Sequence, residues 1–282
     1  MTRAIRVAAP AKLNLALAVT GTRPDGYHDL RSVFVTLDLA DEVRVAPYRR
    51  LEVRVSVKVG PDDLATRAAT ALARATGREA RAFIHVRKRI PLAAGLGGGS
   101  SDAGAVLRAL AVLWRVDADL VKIAAAVGSD VPFFVTATAA ALVRGRGEIV
   151  EPLPPPAEPL HVVLCRPPLR LATAEVYAAH RAEEIGAAPH VDALAEAFRN
   201  GRVDAATVRA HAYNDLLAAA ARRCEAITTW RAAAADRGIV LHLTGSGPTL
   251  FAIADDRRDA LRMARILRRA GLRARPHLAA VS

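Results

Sequence analysis

The segment 91–103, which reads PLAAGLGGGSSDA, restricts the folds open to this chain more than any other part of its sequence. It carries four glycines within five positions and stands between a predicted strand and a predicted helix. Glycines let the backbone adopt positive φ angles and approach a ligand closely. The bare amides and the positive dipole end of the following helix favour a phosphate group. The segment therefore predicts a phosphate-binding loop that ends at Ser100 and Ser101.

Two well-known phosphate-binding loops do not fit this segment. A Walker loop ends in Gly-Lys-Ser or Gly-Lys-Thr, and no lysine occurs between Ile90 and Val121. A Rossmann fingerprint needs a third glycine where Ser100 stands and an acidic residue at a strand end about 20 residues further on. The chain has a predicted helix there, followed by Asp117. A structural turn without a ligand is the remaining alternative, although so many glycines are costly in chain entropy.

A second glycine turn lies at 244–249, where the sequence is TGSGPT between two predicted strands. A hairpin turn is the simpler interpretation of this pattern. The functional interpretation is a second backbone wall that closes on the nucleotide or the substrate. We favour the functional interpretation because the chain also carries the first glycine loop.

The hydrophobic pattern predicts an α+β chain, with helices packed on one face of antiparallel sheets. Apolar and polar residues alternate strictly over 51–59, and the alternation returns over 81–89 with Lys88 on the same side as the apolar residues. Further strands are predicted over 13–19, 33–39, 43–45, 161–165, 239–243, 250–253 and 272–277. Further helices are predicted over 100–114, 117–127 and 256–270, with several alanine-rich helices over 173–237.

Single residues mark both ends of one predicted helix, and a proline-rich segment marks the boundary between the two halves of the chain. The segment 62–76 is typical of a helix that begins after Asp62 or Asp63 and ends at Gly77. The segment 152–159 holds five prolines in eight positions, which is typical of a linker. The predicted domains are 1–155 and 156–282.

The chain is basic, with 40 Lys and Arg residues against 28 Asp and Glu residues and a formal net charge of +12. Of the 40, 36 are arginines, dispersed along the chain rather than gathered in one arm. We interpret this as a solvated arginine-rich surface, and attraction to a nucleic acid or a phosphorylated substrate is the alternative. Aromatic residues make up 4% of the chain, which leaves few platforms on which nucleic-acid bases would stack.

Cysteine content and hydropathy indicate the cellular compartment of the protein. Cys165 and Cys224 are too few for a disulfide framework or a multi-cysteine zinc site. No uncharged apolar stretch reaches 18 residues, so no transmembrane helix is predicted. Arg3 and Arg6 near the start are not followed by the long apolar run of a secretory signal. We expect a cytoplasmic protein that has no membrane partner.

Three motifs, at 9–15 (APAKLNL), 91–103 and 244–249, occur in the order and spacing found in the GHMP family of small-molecule kinases. The chain resembles that family over nearly its whole length. The resemblance implies a two-domain α+β GHMP kinase fold. Its N-terminal domain would be like the second domain of ribosomal protein S5, and its C-terminal domain would be ferredoxin-like.

The resemblance also implies the catalytic residues. Asp130 is the candidate base; it follows a Gly-Ser turn beside an apolar run, which suits a positioned and partly desolvated carboxylate. Lys12 is its electrostatic partner, and Asn14 would hold the substrate hydroxyl. ATP would bind with Mg²⁺, for which Ser100 and Ser101 are the candidate ligands. The implied ATP-binding residues are Pro91, Leu92, Ala93, Ala94, Gly95, Leu96, Gly97, Gly98, Gly99, Ser100 and Ser101.

Other segments indicate the substrate within the family. The segments 21–28 (GTRPDGYH), 128–134 (GSDVPFF) and 214–216 (NDL) resemble members that act on a cytidine diphosphate-linked polyol. Members that act on homoserine, mevalonate or a sugar are the alternative, and their substrates carry no base to stack. The implied substrate-binding residues are Asn14, Tyr27, His28, Thr173, Tyr177, Gly245, Ser246 and Gly247. We expect a monomer or weak homodimer that takes a small-molecule substrate and no nucleic acid.

Overall fold

The computed structural model describes residues 4–24, 26–60 and 63–281. The strands are β1 (Ile5–Thr22), β2 (His28–Ala46), β3 (Leu51–Val55), β4 (Ala82–Arg87), β5 (Ala140–Gly145), β6 (Ile149–Leu153), β7 (Leu160–Cys165), β8 (His242–Leu243), β9 (Leu250–Ala254) and β10 (Ala274–Ala279). The helices are α1 (Leu64–Thr76), α2 (Gly98–Trp114), α3 (Leu120–Val127), α4 (Val131–Thr136), α5 (Thr173–Ala178), α6 (Ala188–Arg199), α7 (Ala205–His211), α8 (Leu217–Arg223), α9 (Glu225–Ala235) and α10 (Arg257–Arg269), with a short 3-10 helix at Ala182–Glu184. The predicted α+β class is confirmed.

Strand β2 is the centre of the sheet. It pairs antiparallel with β1, β4 and β5, and it meets β10 at one pair of residues, Leu37 and Ala279. Beyond β10 the order is β7, β9 and β8. The sheet formed by the described residues therefore runs from one half of the chain into the other.

The structure corrects two expectations about the strands. The segments 33–39 and 43–45 belong to one 19-residue strand, β2, rather than to two strands. β3 and β4 pair in parallel, so the expectation of purely antiparallel sheets is wrong at this edge. The reason is that α1 connects them as a crossover helix, and such a connection brings the second strand back in the same direction.

The ends of α1 confirm the helix predicted from the sequence. Asp63 is the N-cap, and its side chain accepts a hydrogen bond from the Thr66 amide at 3.0 Å. Gly77 ends the helix in the left-handed region with φ of 65°. Asp62, the other candidate cap, lies outside the described residues.

The hydrophobic core extends across both halves. One cluster joins β1, β2 and β5 to β7 and β9, through buried residues such as Leu13, Val35 and Val162. A second lies under α1, α2 and α3, and a third between β7, β9 and the C-terminal helices. The predicted linker 152–159 begins within β6, whose Pro152 and Leu153 pair with β5, and the rest of it leads to β7. Because β10 returns to β2, contacts link the two predicted domains beyond this connection. Among the described residues, no helix is long and apolar enough to cross a membrane.

Candidate active site

The two glycine turns pack directly against each other. At Gly95, where φ is +74°, an added Cβ would lie 2.6 Å from the Thr244 carbonyl oxygen. At Gly245, where φ is +57°, it would lie 2.9 Å from the Gly95 carbonyl oxygen. Any side chain at either position would collide with backbone, so this approach requires glycine. The turn at 244–249 is a β8–β9 connection, as the simpler interpretation expected, and it also forms one wall of this junction.

Lys12 lies on β1 directly under the junction. Its side chain is buried, and its Nζ donates a hydrogen bond to Asn14 Oδ1 at 2.5 Å. The same Nζ lies 3.7 Å from Asp130 Oδ2 and 4.6 Å from the centre of the Phe34 ring. The Lys12 amide donates to the Leu96 carbonyl at 3.0 Å, which joins β1 to the first glycine loop. Burial lowers the pKa of Lys12, and the nearby Asp130 carboxylate opposes that shift.

Asp130 stands at the N-terminal end of α4. Its side chain makes no capping hydrogen bond to its own helix, and it is 27% exposed. The carboxylate therefore has a face open to a ligand while one oxygen faces Lys12. A partly open carboxylate beside a buried ammonium group has the arrangement of a base and its electrostatic partner.

Asn14 lies below the surface, with 1% of its area exposed. Its Nδ2 donates to Ser32 Oγ at 2.9 Å, and its backbone amide donates to Thr244 Oγ1 at 2.9 Å. Its Oδ1 already accepts from Lys12. The geometry makes Asn14 the residue that orients Lys12, and the expected contact with a substrate hydroxyl stays a prediction.

The neighbouring residues Asn214 and Asp215 fix the second glycine turn to β1. Asn214 Nδ2 donates to the carbonyls of Leu243 and Gly245 at 3.0 and 2.9 Å. The Asp215 carboxylate accepts from the Val19 amide at 2.9 Å. The sequence indicated this pair only through its resemblance to the family, because no local pattern shows that an amide will reach carbonyls 29 and 31 residues away.

An aromatic cluster forms the other side of the site. The rings of His28 and Tyr177 lie 5.2 Å apart at 38°, which brings together two residues predicted to bind a base. Burial and the negative charge of Asp130 both raise the pKa of Tyr177, so the cluster lies within electrostatic range of the candidate base. Burial and the neighbouring His180 lower the pKa of His28, which favours its neutral form.

Tyr27 and Thr173 lie at the margin of this cluster. Tyr27 is 53% exposed, and the Arg146 guanidinium lies 4.9 Å from the centre of its ring. Thr173 Oγ1 lies 2.9 Å from Ser246 Oγ, so α5 begins in contact with the second glycine turn. Asp25, which belongs to the segment 21–28, lies outside the described residues.

A buried ion cluster underlies the base of the first glycine loop. Lys88 Nζ contacts Asp102 Oδ2 at 2.6 Å and also pairs with Asp41. Asp41 in turn accepts hydrogen bonds from the amides of Arg89 and Ile90. The cluster joins β2, the residue that follows β4 and the N-terminal part of α2, so it holds both ends of the loop. Burial raises the pKa of Asp102 to about 7, with Lys88 opposing the shift and Asp41 adding to it.

We expect Asp102→Asn to change how stability depends on pH. The pKa of Asp102 is about 7 in the folded chain against an ordinary value of 3.8, so between these values the folded state keeps a proton that the unfolded chain has released. The free energy of unfolding of the parent protein should therefore fall, relative to the variant, as the pH rises from about 4 to about 7. Urea unfolding at a series of pH values measures this difference. The change Asp117→Asn, at an exposed position, is the control, and its free energy of unfolding should depend on pH as that of the parent does. If the free energy of unfolding of Asp102→Asn fell as steeply with pH as that of the parent, the assignment would be contradicted.

Ser101 is the better placed of the two serines considered for Mg²⁺. Its Oγ is buried beside the loop and has no hydrogen-bond partner among the described residues. Hydroxyl oxygen is a ligand type that Mg²⁺ accepts, so this serine fits the ion. Within the described ranges there is no group of three or more His, Cys, Asp or Glu residues arranged to hold a metal without help from a nucleotide.

Comparison with known proteins supports the likeness noted in the sequence. The family model described as GHMP kinases N terminal domain matches residues 63–138, and the model described as GHMP kinases C terminal matches 194–272. A curated relative from Exiguobacterium sibiricum, named 4-diphosphocytidyl-2-C-methyl-D-erythritol kinase, is 37% identical over 278 residues and covers 92% of each chain.

Solved structures of GHMP-type kinases are also similar to this chain. A crystal structure of 4-(cytidine 5'-diphospho)-2C-methyl-D-erythritol kinase is 36% identical, with a TM-score of 0.81 over 99% of this chain and 100% of that one. A homoserine kinase from Cytophaga hutchinsonii has a TM-score of 0.73 over 99% of this chain and 95% of that one. At 18% identity the second likeness shows a shared fold only.

Proposed function

The chain belongs to the GHMP kinase family, and from that premise we propose that it transfers a phosphoryl group from ATP to the 2-hydroxyl of 4-diphosphocytidyl-2-C-methyl-D-erythritol. This is a step of non-mevalonate isoprenoid synthesis. The observation that carries the proposal is the contact of His28 with Tyr177 beside Asp130. An aromatic pair of this kind suits a substrate that carries a base, and homoserine, mevalonate and sugars carry none.

The first glycine loop and the N-terminus of α2 hold the phosphates of ATP. The amides of residues 95–99 and the positive end of the helix dipole supply the attraction, since the loop carries no lysine of its own. Ser101 is the residue that would hold Mg²⁺, which would neutralise negative charge of the phosphates.

Asp130 and Lys12 perform the transfer. The Asp130 carboxylate accepts the proton of the substrate hydroxyl while the hydroxyl oxygen bonds to the terminal phosphorus, and ADP leaves on the opposite side. Lys12, held by Asn14, stabilises the negative charge of the transferring group. The reaction is a direct in-line transfer that needs no covalent intermediate on the protein.

A release assay for ADP across a panel of acceptors tests the proposal. We expect turnover with the cytidine diphosphate-linked methylerythritol and little with methylerythritol phosphate, homoserine, mevalonate or simple sugars. Equal or greater turnover with an acceptor that lacks the cytidine would contradict the proposal and favour another member of the family.

Within the same assay, His28→Ala should raise KM for the cytidine substrate by about 5- to 150-fold, as expected when a stacked or hydrogen-bonded base loses about 1–3 kcal/mol. KM for ATP should stay near the parent value, since His28 belongs to the aromatic cluster rather than to the glycine loop. His85→Ala, a change on β4, is the matched control and should leave both constants unchanged. An unchanged KM for the cytidine substrate in His28→Ala would show that this histidine does not bind the base.

A further inference from the structure

His180 lies just after α5, and its ring is in an edge-to-face arrangement with the ring of His28. Their ring centres are 6.4 Å apart, with the planes at 75°. Tyr177 contacts His28 from the same segment of chain, at 5.2 Å. The His28 ring therefore lies against two other rings, and only Tyr177 of these two was predicted from the sequence.

The buried ring of His180 makes no hydrogen bond through either of its nitrogens among the described residues. Its side chain is 4% exposed. Burying such a group is costly, and native proteins satisfy nearly all of their buried polar atoms. Exceptions that persist in a protein are often found at functional sites.

Glu184 holds His180 in place from the far side. Its Oε2 lies 3.3 Å from His180 Nδ1, close enough for an ion pair but outside hydrogen-bond geometry. Glu184 is itself fixed, because Arg222 of α8 binds both of its oxygens and the Arg181 amide donates to it at 3.1 Å. Arg222 keeps the pKa of Glu184 below its usual range, so the carboxylate is charged.

We propose that His180 is a positioning residue for the substrate base: anchored by Glu184, it holds the His28 ring in the orientation that binds the cytidine. The inference rests on the proposed function. The ionisable groups that act on this arrangement are Glu184, Arg222 and Arg181 on one side and His28 on the other. Burial and the neighbouring His180 both lower the pKa of His28, which preserves a ring with one donor and one acceptor nitrogen.

The variant that tests the inference is His180→Leu. Leucine fills the buried space without an unpartnered polar atom, so the free energy of unfolding should be unchanged or higher. KM for the cytidine substrate should rise about tenfold, a change typical of a lost pocket contact. KM for ATP and kcat should stay within twofold of the parent. A purely structural role for His180 gives the opposite pattern, with lower stability and no selective change in KM.

Two further variants complete the experiment. Glu184→Gln removes the charge that anchors His180 and should raise KM for the cytidine substrate in the same direction. His190→Leu is the matched control, because His190 also has a buried ring nitrogen without a hydrogen-bond partner among the described residues, but its ring stacks on Tyr213 rather than on His28. It should leave both KM values unchanged.

The possible outcomes separate the inference from the proposed function. An unchanged KM for the cytidine substrate in both His180→Leu and Glu184→Gln, with the parent enzyme active on that substrate, overturns the inference and leaves the proposed function intact. A loss of stability in His180→Leu with parallel changes in all kinetic constants also overturns it. An inactive parent enzyme on the cytidine substrate overturns the proposed function, and the inference with it.

Discussion

Replacing Asp130 by asparagine should lower kcat by about 10²- to 10⁴-fold, the usual contribution of a positioned base. Asparagine keeps the shape of the side chain but accepts no proton, so the substrate hydroxyl would have to lose its proton to water. The open face of the carboxylate and its 3.7 Å separation from Lys12 Nζ support this role. Binding of ATP should be nearly unchanged, since the phosphates are expected at the glycine loop.

Steady-state release of ADP gives kcat, and a fluorescent ATP analogue gives nucleotide affinity in the same preparation. Asp119→Asn is a suitable control, because Asp119 caps α3 and asparagine caps helices about as well as aspartate does. The control should retain the parent kcat. If Asp130→Asn kept more than a tenth of the parent kcat, another group would have to be the base.

Replacing Lys12 by methionine should lower kcat by about 10²- to 10³-fold, the scale found when one preorganised donor to a transition state is removed. The buried ammonium group loses solvation on folding, so its removal should cost little stability. Asn14 Oδ1 keeps a longer hydrogen bond from Thr244 Oγ1 at 3.4 Å, so the structural cost that remains is the loss of the bond from Lys12. Lys12→Arg should not restore the activity, because the buried Nζ lies against Asn14 Oδ1 and the Phe34 ring, and the larger planar guanidinium does not fit the place of the compact ammonium group.

The double variant of Lys12 and Asp130 provides the sharper comparison. Residues that act as one unit in a transition state lose most of the rate when either is removed, so the second change should add little. We expect the double variant to be within about tenfold of the worse single variant. Fully multiplicative losses in kcat would show that the two groups act independently.

Features determined by nearby residues were predicted well from the sequence. Asp63 and Gly77 delimit α1 as expected, and α10 (Arg257–Arg269) lies within the predicted 256–270. The Asp256 carboxylate caps α10 by accepting a hydrogen bond from the Asp259 amide at 2.7 Å. The helix after the first glycine loop begins at Gly98 and ends at Trp114, close to the predicted 100–114. Such features depend on φ, on a cap or on periodicity, all of which the local sequence carries.

Features set by distant partners were missed. The residues between the predicted strands 33–39 and 43–45 include Asp41, which is buried within the single strand β2. A buried carboxylate is tolerated only when charges and amides from elsewhere satisfy it. Lys88 and the amides of Arg89 and Ile90 supply those partners. The position of Lys88 on the apolar side of an alternating strand was the one signal that indicated a buried cation.

In the candidate site, too, the sequence indicated individual residues but not the contacts between distant ones. The sequence indicated Lys12, Asp130 and the two glycine turns, but it did not indicate that Asn14 would be used internally or that His180 would contact His28. Both of these depend on how β1 and α5 face their neighbours, which is a tertiary property.

The hydrogen bond between the Asn14 amide and Thr244 Oγ1 joins residues 230 positions apart. Bringing residues so far apart in the chain together costs conformational entropy, and folding is slower in proteins with many such contacts. The glycine turn at 244–249 must therefore dock on β1 before Lys12 has its final surroundings. An N-terminal half that has already formed its own core is therefore still inactive. Activity that returns during refolding thus measures the completion of the whole molecule rather than the formation of its parts.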